Sequence, residues 1–110
     1  MRTPAKVAAV ARVASETGAD FIKTFYTGDK KSFKVVVDNC SVPVLILGGP
    51  KIDTDRAILE LVHDAMDAGA AGITMGRNIW GHANIGGITT ALSEIIHNDA
   101  SVESAYRLIQ

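Results

Sequence analysis

Val42 to Leu47 is an apolar run with no polar alternation, closed by Gly48, Gly49 and Pro50. A strand that shows one face to water alternates, so a run of this kind predicts a parallel strand buried on both faces. The flanking segments fit that reading. Thr3 can cap a first helix with Pro4 at its opening position and an apolar stripe of Val7, Val10, Ala11 and Ala14. Gly18 supplies its left-handed stop, and Asp20 to Phe25 is the first strand. Asp29 caps a second helix bearing Phe33, Val36, Val37 and Cys40. Asp53 or Thr54 opens a third, with a stripe of Ile58, Leu61, Val62, Ala65, Met66 and Gly69. Ala71 to Met75 is the third strand, closed by Gly76. A fourth helix carries Ile85, Ile88, Leu92, Ile95 and Ile96, and Asp99 or Ser101 caps a short last one.

One joint occurs twice. Gly18-Ala19-Asp20-Phe21-Ile22 and Gly69-Ala70-Ala71-Gly72-Ile73 each place a helix stop, a small residue and an apolar strand in the same order. Repeats of this joint mark stacked βα units. No Asn-Gly or Asp-Gly hairpin turn joins the strands, so the sheet is expected to be parallel with right-handed crossovers. No linker divides the chain, and residues 1–110 are read as one domain.

Composition narrows the function. At 110 residues and 47% hydrophobic the chain is not a disordered segment. Eleven basic against twelve acidic residues, with 5% aromatics, leave no footprint for nucleic acid. No apolar run approaches the roughly 18 residues of a membrane span. The amino terminus lacks the apolar core of a secretory signal, so a cytoplasmic location is expected. The lone Cys40 reads as a small core residue, and no CxxC or HxxxH spacing suggests a metal.

Ligands of parallel α/β sheets bind beyond the carboxyl ends of the strands. Two of those ends are Gly48-Gly49-Pro50-Lys51 and Gly76-Arg77-Asn78. Backbone amides of a glycine turn opening onto a helix make a nest for phosphate oxygens, and an arginine adds a bidentate fork. Each turn alone is better read as a tight turn beside a surface cation. Both in succession match the phosphate site that (β/α)8 barrels build after strands seven and eight. The remaining strand end holds Lys23 between Phe21, Ile22 and Phe25, followed by Tyr26. An apolar site would keep the amine neutral and able to attack a carbonyl; a lysine near a strand end can equally snorkel to solvent. His63, off the apolar stripe of the third helix, reads as solvated, and His97 sits near the end of the fourth helix, where a cation suits the dipole. His82, beside Trp80 in the loop after Arg77, lies nearer the candidate site, although loop histidines more often pack.

Taken together, residues 18–29, Pro43-Val44 through Lys51, and Met75-Gly76-Arg77-Asn78-Ile79-Trp80 resemble the archaeal-type class I fructose-bisphosphate aldolases. These form part of the wider DeoC/LacD group of Schiff-base aldolases, which includes a heptulosonate synthase and a phospho-autoinducer thiolase. The resemblance covers nearly the whole chain. It implies the carboxyl-terminal part of a (β/α)8 barrel, from the end of helix five through strands six, seven and eight and the closing helices. It implies Lys23 as the Schiff-base lysine, and Gly48, Gly49, Gly76 and Arg77 as the phosphate grip. Lys51, by charge, and Tyr26, within the lysine's own motif, complete the candidate set.

The implied chemistry is a cofactor-free lyase reaction on a phosphorylated ketose, such as cleavage of fructose 1,6-bisphosphate to triose phosphates. A related transferase or thiolase, a phosphate-binding barrel isomerase or synthase, and a non-catalytic phosphate-binding remnant are the alternatives. The family's acid–base residues, a tyrosine on strand four and an aspartate on strand one, fall outside this chain, and Tyr26 is not that tyrosine. A barrel needs about 250 residues. The implied partners are therefore a sugar phosphate together with a homo-oligomer or a complementing amino-terminal half.

Overall fold

The computed structural model describes residues 4–47 and 54–109. The elements run α1 (Pro4–Glu16), β1 (Ile22–Thr24), α2 (Lys30–Asp38), β2 (Val44–Leu47), α3 (Asp55–Asp67), β3 (Gly72–Thr74), α4 (Arg77–Trp80), α5 (Ile85–Asn98) and α6 (Val102–Arg107). The expected order is present, with one addition. The turn after β3, read as loop, contains the single-turn helix α4. The strands form one parallel sheet in the order β1-β2-β3.

The repeated joint has a physical basis. Ala19 donates its amide to the Ala14 carbonyl at 3.4 Å, and Ala70 donates to Ala65 at 3.0 Å. Both bonds close a Schellman turn over a glycine, Gly18 at φ +98° and Gly69 at φ +109°. Each helix therefore stops in the same hydrogen-bonded turn before the strand that follows. Asp29, Thr54, Asn84 and Ser101 accept amide hydrogen bonds from the first turns of α2, α3, α5 and α6. Thr3 and Asp53, also candidates for capping, lie outside the described residues.

The helices cover one face of the sheet. Ile22, Val44 and Ile46 are buried there among Phe33 and Val36 of α2, Ile58, Leu59 and Val62 of α3, and Ile88, Leu92 and Ile95 of α5. The register pairs Lys23 with Leu45 and Leu45 with Gly72, which places these residues on the opposite face, with Leu47 and Thr74 above them. Lys23 is exposed, Leu45 and Leu47 are half-buried, and none of the three belongs to the core. This corrects the reading of Val42–Leu47 as buried on both sides: burial alternates along β2, because among the described residues only one layer of helices is present. The α1 stripe is corrected as well. Ala8 takes a buried place, while Val10 is 70% exposed.

Two further ties hold the helical layer. Lys30 of α2 reaches Asp67 of α3 at 3.3 Å. The Arg56 guanidinium of α3 grips both carboxylate oxygens of Glu103 and lies 5.0 Å from the Tyr106 ring centroid of α6.

Candidate active site

Parallel pairing brings the carboxyl ends of all three strands to one edge. Lys23 is the central residue of β1 and points to the face without helices. β3 lies two strand spacings away, roughly 10 Å. Between them, Leu45 extends over Gly72, where an added Cβ would lie 3.2 Å from the Leu45 Cδ2. The glycine therefore lets β2 and β3 share this face without crowding. The expectation of an apolar pocket around Lys23 is not met within the described residues: the lysine is exposed, and Phe21 beside it is 58% exposed.

The turn after β1 is tied back to its helix. Thr27 and Ser32 share a hydroxyl hydrogen bond at 2.8 Å, and the Asp29 carboxylate accepts the Ser32 amide at 2.8 Å. That amide, with the Ser32 hydroxyl second, holds the Asp29 carboxyl below its ordinary range. Tyr26 turns toward the helices rather than toward Lys23. Its ring tilts against Phe33 at 5.3 Å, and its hydroxyl is buried without a hydrogen-bond partner among the described residues. Burial foremost, then the negative charges of Asp64 and Asp29, raises its pKa and keeps the phenol neutral. Cys40 is half-buried against the core, as read, and burial pushes its thiol up.

The candidates Gly48, Gly49 and Lys51, which follow β2, lie outside the described residues. The structure resumes at Thr54, whose hydroxyl accepts the Ala57 amide at 3.1 Å and opens α3. After β3, Gly76 is exposed, and its carbonyl accepts the Ile79 and Trp80 amides at 3.0 and 2.9 Å. Arg77 is therefore the first residue of α4. Among the described residues, a Cβ on Gly76 would come near only the Trp80 Cδ1, at 4.0 Å. Asn78 is buried at 1% exposure, a polar residue in the core that the sequence pattern did not reveal.

His82 packs, as loop histidines more often do. It lies 12% exposed with its Nε2 2.7 Å from the Asp55 carboxylate. Its Nδ1 accepts the Asn84 amide at 2.8 Å. Asp55 and His82 are 27 residues apart, and no local spacing marks the pair. His63 sits near Asp67, its Nδ1 3.7 Å from the carboxylate, and His97 is exposed in the last turn of α5. Among the described residues no group of three or more His, Cys, Asp or Glu side chains could hold a metal ion, and no helix is long and apolar enough to cross a membrane.

The arrangement has known counterparts. Residues 1–82 match the model of the DeoC/LacD family aldolases. The chain is 42% identical over 101 residues to an uncharacterised aldolase of Saccharolobus solfataricus, covering 92% of this chain and 37% of that protein. It is 49% identical over 94 residues to the 2-amino-3,7-dideoxy-D-threo-hept-6-ulosonate synthase of Halobacterium salinarum, covering 86% of this chain and 35% of that one. The crystal structure of an archaeal fructose 1,6-bisphosphate aldolase superposes with a TM-score of 0.84 at 42% identity, over 87% of this chain and 38% of that chain. A further archaeal fructose-1,6-bisphosphate aldolase structure, with its catalytic lysine bound to the carbinolamine intermediate, superposes with a TM-score of 0.82 at 42% identity, over 86% of this chain and 38% of that chain. The chain thus spans a little over a third of the length of these relatives.

Proposed function

Because the chain belongs to the DeoC/LacD family of aldolases, we propose that it carries the nucleophile and phosphate grip of a Schiff-base aldolase acting on a phosphorylated ketose. In this reading residues 1–110 are the last three βα units of a (β/α)8 barrel, with β1, β2 and β3 as strands six, seven and eight. The observation that carries the reading is the position of Lys23: mid-strand, on the face that no described helix covers, at the edge it shares with the exposed turn at Gly76.

The chemistry follows from the residues. The Lys23 nitrogen lone pair attacks the substrate ketone, forming a C–N bond while a proton passes to the carbonyl oxygen. Loss of that oxygen as water leaves an iminium. The iminium draws the electrons of the bond between its adjacent carbon and the hydroxyl-bearing carbon, which breaks as a base takes that hydroxyl's proton, releasing the aldehyde product and leaving an enamine. Hydrolysis of the remaining enamine, after protonation at carbon, returns the amine and the ketone product. The Gly76 turn with Arg77, joined by Gly48, Gly49 and Lys51, grips a phosphate and holds the carbonyl within reach of Nζ. Tyr26, turned into the helical layer, serves the lysine-bearing segment by packing.

A barrel supplies what the described residues lack around Lys23, namely an apolar enclosure and acid–base groups. We therefore assign the complete active site to an assembly of this chain with the remaining strands, whether carried by the same polypeptide, a complementing half or further copies. Fructose 1,6-bisphosphate is the first substrate to test. The 49% identity to a heptulosonate synthase supports a related Schiff-base synthase as the second reading. The assembly, reconstituted with the first five βα units of an archaeal relative, should cleave fructose 1,6-bisphosphate and lose that activity on Lys23→Ala. Activity that survives Lys23→Ala contradicts the Schiff-base mechanism. A wild-type assembly that works only on heptulosonate precursors selects the second reading.

A further inference from the structure

We propose that His82 is a positioning residue, held as its Nε2–H tautomer, that locks the turn after β3 to the first turn of α3. The functional part of this proposal rests on the reading of the Gly76–Arg77 turn as a phosphate grip.

The tautomer follows from the two bonds. The Asn84 backbone N–H points at Nδ1 from 2.8 Å, and an amide can only donate, so Nδ1 must present its lone pair. The ring hydrogen then resides on Nε2 and is donated to the Asp55 carboxylate at 2.7 Å. The backbone around the ring is also fixed, because the His82 amide donates to the Ile79 carbonyl of α4 at 3.1 Å. One residue thus joins three elements: α4 through its backbone amide, and the starts of α5 and α3 through its ring, by way of Asn84 and Asp55.

Asn84 extends the node. Its Oδ1 accepts the Gly87 amide at 3.0 Å and caps α5, while its Nδ2 donates to the Ile109 carbonyl at 3.1 Å. A Cβ at Gly87 would press on the Asn84 side-chain amide, so glycine leaves this cap undisturbed. The turns following β2 and β3 are the two that the phosphate reading joins. The contact between Asp55 and His82 fixes the separation of the elements on which those turns end.

Two conservative substitutions separate the bonds. His82→Gln can keep a donor at the Nε2 position facing Asp55, and His82→Asn can keep an acceptor at the Nδ1 position facing Asn84. The full chain, titrated with inorganic phosphate and followed through the Gly76 to Asn78 amide resonances, should bind about fivefold more weakly on His82→Ala, the equivalent of one net hydrogen bond. His82→Gln should restore most of the loss and His82→Asn little of it. Equal rescue by both, or unchanged binding in His82→Ala, overturns the positioning role. Nitrogen-15 spectra of wild-type His82 provide a second test that does not depend on any variant folding. A protonated Nε2 and bare Nδ1 support the clamp; a protonated Nδ1 overturns it. If wild-type protein shows no phosphate response, the phosphate grip and the role of His82 in serving it both fall, while the nitrogen spectra still decide the clamp itself.

Discussion

The two faces of the sheet are built from alternate residues of the same short strands, yet they have opposite fates. Ile22, Val44 and Ile46 close against α2, α3 and α5 and are almost wholly removed from water. Lys23, Leu45 and Leu47 face the side where no described residue forms a second layer. The first face is a finished core that accounts for folding. The second carries the nucleophile of the proposed reaction and gains its enclosure from further strands. Stability and chemistry are therefore separated by a single step along each strand, which is what the two-residue period of a strand permits.

Substitutions can break that contrast. Ile46→Ala, at a position with no exposure, should cost about 2–5 kcal/mol in chemical denaturation, from lost transfer energy and the cavity left behind. Leu45→Ala, one residue away, should cost roughly 1 kcal/mol or less in the isolated chain. In the reconstituted assembly the Leu45→Ala cost should rise toward that of Ile46→Ala. Equal costs in the isolated chain would show that the open face is already covered.

The paired helix stops give a smaller effect. A left-handed backbone costs a residue with a Cβ about 1–2 kcal/mol, so Gly18→Ala and Gly69→Ala should both destabilise. Gly69→Ala should be the more costly, because its Cβ would meet the Val37 Cγ1 at 3.1 Å, whereas Gly18 has nothing within 4 Å. Equal melting temperatures for the two variants would contradict this ordering.

The smallest effect is in the acid limb of stability. Asp29 has its pKa lowered in the folded chain from 3.8, chiefly by the Ser32 amide. Its charge therefore contributes stability that is fully present above the unfolded pKa and is lost as pH falls through the folded one. Asp29→Asn keeps an acceptor for that amide but removes the titration. The gap in stability between wild type and variant should be largest near neutrality and close in acid. A gap that stays constant with pH would assign the cap to hydrogen bonding alone.

Much of this architecture could be read from the residues. Gly18 and Gly69 announced the joints because only a left-handed residue completes that turn. Asp29, Thr54 and Ser101 announced the caps. Strand ends were trimmed, with Asp20–Phe25 reduced to Ile22–Thr24, because apolarity extends past the paired backbone. Leu59, fully buried, was absent from the expected stripe of α3 because α5 and α6 both pack on that helix and widen its covered face. Val10 was placed inward by spacing alone, yet it faces away from the α2 contact. Within the site, Lys23 and the Gly76-Arg77 turn stood out as residue types unusual for their setting. The bond between His82 and Asp55 did not, since it exists only once β2 and β3 lie side by side.

The proposed chemistry turns on a covalent bond between Lys23 and a phosphorylated ketone. Incubation of the reconstituted assembly with dihydroxyacetone phosphate and borohydride, followed by peptide mass analysis, tests it directly. A single reduced adduct is expected at Lys23, absent from Lys23→Arg and suppressed by excess inorganic phosphate. An adduct confined to another lysine, or none in a folded assembly, would contradict the Schiff-base role.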